Sequence, residues 1–154
     1  DKETYAYTNH GDMKAYSICR NQLDHFYPAI FNNFVARMDW AAQGKGNRNP
    51  VVVVNNNKGL DGINMKPRQG KTVTLDASRS SDPDGDQLSY NWWVLEEAGT
   101  HSGKVNISGK NTKQAQVNIP SNSAGQTIHV ICEVIDNGTP KLTSYRRIII
   151  KPTK

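Results

Sequence analysis

The sequence has 154 residues, 36% of them hydrophobic, with 12 Gly, 2 Cys and a formal net charge of +5. That length suits one domain of ordinary size, or one domain plus a fragment, and no apolar run approaches the ~20 residues needed to cross a bilayer. The bases are scattered along the chain, so the charge reads as surface solubility and not as a nucleic-acid footprint.

The chain begins with Asp1 and carries no signal-peptide pattern, which is expected of a mature or cut form of something longer. Residues 1–49 read as a short helical segment and a linker. Met13, Tyr16, Ile18 and Leu23 make a weak apolar pattern. A better helix is expected to start at Pro28, because a first-turn position has no use for the missing N–H. Ile30, Phe31, Phe34, Val35 and Met38 follow at spacings of three and four. Gly44, Gly46, Asn47, Asn49 and Pro50 stop the helix and form the linker. Helices this short cannot bury an apolar face alone, so this piece is expected to pack against the rest of the chain or against another domain.

Residues 50–154 have a different period. Val51–Val54, Thr72–Ala77, Leu88–Leu95, Val105–Ile107, Ala115–Ile119, Ile128–Ile135 and Tyr145–Ile150 are short, β-branched and separated by turns. The turns are Asn55–Asn57, Asp82-Pro83-Asp84-Gly85, Ser121–Gly125 and Asn137-Gly138-Thr139-Pro140. About seven such strands over about 100 residues predict an antiparallel Greek-key β-sandwich of the immunoglobulin-like class. Ile128–Ile135 is apolar at nearly every position, as a central strand covered on both faces should be. No crossover helix fits between these strands, which excludes a parallel α/β sheet here.

The segment TVTLDASRSSDPDGDQLSYNWW, starting at Thr72, resembles polycystic-kidney-disease (PKD) and cadherin-like modules. NRNPVVVVN, the longer stretch from Lys71 through WWVLEEAGTHSGKV, and AGQTIHVICEVIDNGTPKLTSYRRIII resemble a narrower family. That family is the C-terminal domain of bacterial secreted cellulose-binding proteins with a nucleoside hydrolase-like domain upstream. FYPAIFNNFVARMDW, residues 26–40, resembles the last helix of that upstream domain. The resemblance implies a non-catalytic accessory module of a secreted, periplasmic or cell-surface glycan-associated protein, with polysaccharide and the upstream domain as its partners. The alternative it implies is a spacer or docking domain that braces the upstream domain.

Candidate sites follow from residue types. Asp82, Asp84 and Asp86 alternate like the first ligands of a calcium loop, with Asp136 or Asp76 as recruits from neighbouring strands. The EF-hand pattern fails, because Gln87 stands where Gly is needed and Trp93 where Glu is needed. The same three residues also suit a turn whose carboxylates bond the backbone two residues on. Trp92 and Trp93 point to opposite faces of one strand, with Tyr90 and Trp92 toward the core. Trp93 is then a candidate for stacking on a sugar ring, with Glu97, His101 and Tyr145 as partners, or else it is covered by the N-terminal helix. Glu96 and Glu97 are adjacent and cannot flank one glycosidic bond as an acid pair must. His10, His25, His101 and His129 have no metal-ligand spacing. Cys19 and Cys132 either pair in an oxidising compartment or remain two buried thiols.

Overall fold

The computed structural model describes residues 13–154, apart from the side chains of residues 13–16, 18, 19 and 22. His10 and the side chain of Cys19 lie outside the described residues, and so does the question of a bond from Cys19. Cys132 is buried and free.

One helix, α1, spans Met13–Gln43 and runs through Pro28. The expectation of a start at Pro28 is corrected: the proline sits inside the helix. Pro28 supplies no N–H to the Asp24 carbonyl, at a cost of about 3 kcal/mol. Packing offsets that cost on both sides of the proline, where Phe26 meets the sheet and Ala29 is buried. Gly44 ends the helix with φ +67, its N–H bonded to the Trp40 carbonyl at 2.9 Å, the left-handed cap glycine allows.

Residues 44–50 are a strap and not a free linker. Asn47 is buried, and Arg48 is bonded to the loop after the strand Thr72–Asp76. The strap leads into nine strands, two more than the sequence pattern suggests. The hairpin β1 (Val53–Val54) and β2 (Asn57–Lys58) closes through Asn55 and Asn56, both at positive φ, the backbone of a tight two-residue turn. β3 is Ile63–Met65, β4 Thr72–Asp76, β5 Ser89–Val94, β6 Asn106–Ser108, β7 Gln114–Asn118, β8 Ile128–Ile135 and β9 Thr143–Ile150. β2 and β3 escape the sequence pattern because each is too short, or too polar, to alternate.

Two sheets face each other, one in the order β3-β9-β8-β5 and the other β4-β7-β6. All their pairings are antiparallel except β3 with β9, where Ile63 lies opposite Ile148 in parallel. Between the sheets lie Leu75, Ala77, Tyr90, Trp92, Ala115, Val117, Val130, Cys132, Val134, Ile148 and Ile150. Trp92 is fully buried, and its indole N–H donates to the Thr112 carbonyl at 2.9 Å. β8 is covered on both faces, as its continuous apolar run predicts. The fold is the expected mainly β, immunoglobulin-like sandwich, with a helix laid on one side.

Candidate functional site

The outer face of the four-stranded sheet carries two cross-strand rows that matter. Asn91, Glu133 and Tyr145 stand opposite one another, and so do Trp93, Ile131 and Arg147. Asn91 donates its side-chain amide to Glu133 at 2.9 Å. Burial holds the Tyr145 hydroxyl protonated well above the usual phenol range, and its contact and hydrogen bond with the Glu133 carboxylate push the same way.

Helix α1 lies over this face. His25 meets the Trp93 ring edge-on at 4.9 Å between centroids. Phe26 sits between Trp93, at 6.2 Å, and Tyr145, at 5.3 Å. Asn32 donates to the Lys141 carbonyl at 2.9 Å and ties the helix to the start of β9. Trp93 is therefore half-buried under the helix, and its indole nitrogen is buried without a hydrogen-bond partner. Of the two alternatives for Trp93, the covering helix is the one the geometry supports.

The helix turns its small residues inward. Ala29 and Ala36 are buried and share a face with Phe26 and Asn33 at helical spacing. Leu23, Tyr27, Ile30, Phe31, Phe34 and Met38 are exposed by 48–60%. Ile30, Phe31, Phe34 and Met38 belong to the apolar stripe legible in the sequence and face away from the sandwich, whereas Val35 of the same stripe is half-buried. An open cleft of about 530 Å³ lies beside it, between Phe26, Ile30 and Phe34 of the helix and Thr143 and Tyr145 of β9.

Glu97 and His101 stand outside the strands that carry Trp93 and Tyr145. Glu97 is exposed on a 3-10 turn, Glu96–Ala98. His101 is held on the far side of that turn, where its Nδ1 pairs with the Gln126 side chain and its backbone N–H with the Thr127 carbonyl. Gly103 leaves room for the ring, since a Cβ there would stand 2.6 Å from His101 Nε2. Trp93 and Tyr145 are linked through Phe26, whereas His101 is bound to Gln126 and Thr127.

The aspartates are gathered differently. Asp82 Oδ1 accepts the N–H groups of Asp84 and Asp86, the expected side-chain turn. Asp84 accepts from the Arg48 guanidinium at 2.6 and 2.9 Å and from the Arg48 backbone at 2.8 Å. This bonding holds the Asp84 carboxyl below its ordinary pKa. Asp136 is 2% exposed. Its Oδ1 accepts from the Asn47 amide and from the backbone of Gly138 and Leu142. One oxygen each of Asp82 and Asp136 is buried without a partner. Burial, and then the negative charge of Asp82, Asp136 and Asp84, raises the pKa of Asp86. Asp76 stands apart, turned to the Ser78 N–H at the end of β4.

This set fits calcium poorly. The ion takes six to eight oxygens, whereas Asp84 is committed to Arg48 and Asp136 spends one oxygen on three donors. Among the described residues, no group of three or more His, Cys, Asp or Glu could hold a metal ion. The strap residues Asn47 and Arg48 supply the positive ends that the cluster needs. Sequence reasoning read them as linker; the signal was the amide and guanidinium donors in NRNP, close in the chain to a turn rich in carboxylates.

Residues 72–152 match the family described as the C-terminal domain of the cellulose-binding protein Sde0182. The chain belongs to this family. The matched residues of this cellulose-binding family domain include the DPDGD loop, Trp93, His101 and Tyr145; α1 and the strap precede them. A solved structure of a nucleoside hydrolase-related hypothetical protein from Saccharophagus degradans, described as associated with carbohydrate metabolism, is 45% identical with a TM-score of 0.82. The alignment covers 84% of this chain and 32% of that one, so this chain spans about a third of the relative's length. The PKD domain of the KIAA 1837 protein is 22% identical over 62% of this chain and 84% of that one, with a TM-score of 0.41. A protocadherin gamma B2 fragment is 17% identical over 71% and 27%, with a TM-score of 0.42. None of the curated proteins compared with the chain matches it. No described helix is long and apolar enough to cross a membrane.

Proposed function

We propose that this chain is a non-catalytic accessory module of a secreted glycan-associated protein, in which it binds or orients polysaccharide. Membership of a family named for cellulose binding is the observation that carries this reading. The test is a pull-down of the whole chain on insoluble cellulose, with a soluble-glucan competitor. Retention that the competitor releases supports the reading; a chain that stays in the supernatant at every load sinks it.

A second reading is a brace for an upstream nucleoside hydrolase-like domain, with residues 1–49 as the tail of that domain and residues 50–154 as the sandwich. The exposed stripe Leu23, Tyr27, Ile30, Phe31, Phe34 and Met38 favours it. Contiguous apolar surface of this kind marks an interaction site, and a relative with a nucleoside hydrolase-related description extends well beyond the matched part. Co-expression with the rest of the Saccharophagus protein tests it. Co-purification that is lost in Ile30→Gln/Phe34→Gln, with the sandwich still melting normally, supports the brace. Co-purification that survives those changes rejects it.

A further inference from the structure

We propose that the loop of residues 59–62 is a lid. It closes by extending β3 backward to Leu60, which sets Asp61 on the guanidinium of Arg146 and Leu60 over the apolar cleft beside the helix. The inference goes beyond both readings above. Arg146 lies on the inward face of β9, in line with Ile148 and Ile150, and is 4% exposed. Its Nε and Nη1 are buried without a hydrogen-bond partner. Among the described residues the ion pairs are Arg20–Asp24 and Arg48–Asp84, and neither involves Arg146. A guanidinium keeps its charge in a protein, and a buried charge without an acceptor is costly. The position therefore calls for an oxyanion.

The register of β3 names the carboxylate. Ile63 lies opposite Ile148 in parallel, so continuing the pairing brings Asp61 opposite Arg146 and Leu60 opposite Tyr145. Side chains alternate along a strand. Ile63 and Met65 pack on the core, so Asp61 turns inward with Arg146, and Leu60 turns outward with Tyr145. The Lys151 N–H already donates to the Met65 carbonyl. The evenly spaced parallel ladder then uses every second residue of β3 and carries the Asp61 N–H to the Tyr145 carbonyl. In the structure the chain bends at residues 59–61 instead, which leaves Asp61 exposed and Leu60 94% exposed. A short movement separates the two arrangements. Gly62 already lies along β9, where a Cβ would stand 3.0 Å from Ile149 Cδ1. A Cβ on Gly59 would stand 3.8 Å from Arg146 Nη1, so the loop already borders the guanidinium. Gly59 has φ +116, a torsion open to glycine and one it leaves without steric cost. Outward, Leu60 arrives at the cleft of about 530 Å³ lined by Phe26, Ile30, Phe34, Thr143 and Tyr145. One strand extension thus satisfies a bare buried cation and an exposed leucine together. With the lid closed, a partner that enters the cleft must first displace Leu60.

The experiment is amide hydrogen exchange of the whole chain by NMR, joined with thermal melts. A lid closed about nine-tenths of the time slows exchange of the Asp61 amide about 10-fold against a free peptide. That protection, with nuclear Overhauser contacts from the Leu60 methyls to the Tyr145 ring, is the expected result. Asp61→Ala should abolish both and lower the melting temperature by a few degrees, because it strips the acceptor from a buried guanidinium. Leu60→Ser should weaken the protection and leave Arg146 in place. In an Arg146→Met background, Asp61→Ala should change neither protection nor melting; if Arg146→Met does not fold, the other two variants still decide. An Asp61 amide that exchanges at the free-peptide rate in the wild type overturns the lid. So does Asp61→Ala with wild-type exchange and melting. If the amide is unprotected and millimolar sulfate raises the melting temperature of the wild type, the guanidinium serves a free oxyanion and the lid is likewise overturned.

Discussion

Arg48 grips Asp84 through both its guanidinium and its backbone N–H, so the strap after the helix is fastened to the turn most suggestive of calcium. The pair is partly exposed, and salt screens such pairs. Arg48→Ala should lower the melting temperature at low ionic strength, and the difference from wild type should shrink in 1 M salt. The pH dependence has a definite sign. Asp84 has a lowered folded pKa, so its contribution is present above the ordinary carboxylate pKa and is lost as pH falls through the folded value. The variant should therefore differ most from wild type near neutrality and converge with it in acid. Millimolar calcium should leave the wild-type melting temperature unchanged; a rise would show a cation where the arginine now serves.

Asp86 has the opposite sign. Its folded pKa is raised, so the folded state favours its proton and stability declines as pH rises through that value. Asp86→Asn mimics the protonated form and removes repulsion with Asp82 and Asp136. It should raise the melting temperature at pH 7 and lose that gain near pH 3. Thermal melts at the two pH values decide it, and a variant less stable at pH 7 contradicts the like-charge account.

Gly138 is the point where strap, loop and turn converge. A Cβ there would stand 2.2 Å from Asn47 Nδ2 and 2.6 Å from Asp86 Oδ2. Forcing a methyl into such a space costs about 1–3 kcal/mol, or roughly 2–10 °C of melting temperature for a chain of this size. Gly138→Ala should cost less when Asn47 is already alanine, because the nearest obstacle is then gone. A double-mutant cycle by chemical denaturation measures the coupling; strict additivity would mean that Asn47 is not the obstacle.

The sandwich was legible because its strands follow period-two alternation and its turns use Asp-Gly, Asn-Gly and Pro. β8 is the clearest case, with seven of its eight residues buried. β3 was not legible: three residues pair in parallel with β9, and nothing local announces a partner so distant in sequence. The helix stripe was visible as a pattern, but its direction was not. Periodicity identifies an apolar face without saying what it meets, and here the sandwich takes the alanine side. Alternation places Trp93 and Tyr145 on one face, Glu97 stands on a 3-10 turn, and His101 is bonded to Gln126.

Cys132 offers a probe of opening. Burial, and then the Glu133 carboxylate, pushes its thiol up to about 12. The thiolate is the reactive form, so at pH 8 the native thiol should be nearly inert. In a Cys19→Ser background, Cys132 should react with a thiol reagent slowly in buffer and fully in denaturant. Fast labelling in buffer would show that the β5-β8-β9 region opens readily.

Trp92 and Trp93 make the sharpest contrast, because one substitution should have opposite effects at neighbouring positions. Trp92 is fully buried and its indole donates to the Thr112 carbonyl. Trp92→Phe deletes that donor and leaves space behind, at a cost of about 2 kcal/mol or more. Trp93 buries an indole nitrogen that has no partner, a group that loses its water and gains nothing in return. Trp93→Phe removes that liability and keeps an aromatic ring beside His25 and Phe26, so it should be neutral or mildly stabilising. Urea denaturation of the two variants compares them directly. If Trp93→Phe cost as much as Trp92→Phe, the indole nitrogen of Trp93 would have to be engaged in solution, and its burial beneath the helix would need another explanation.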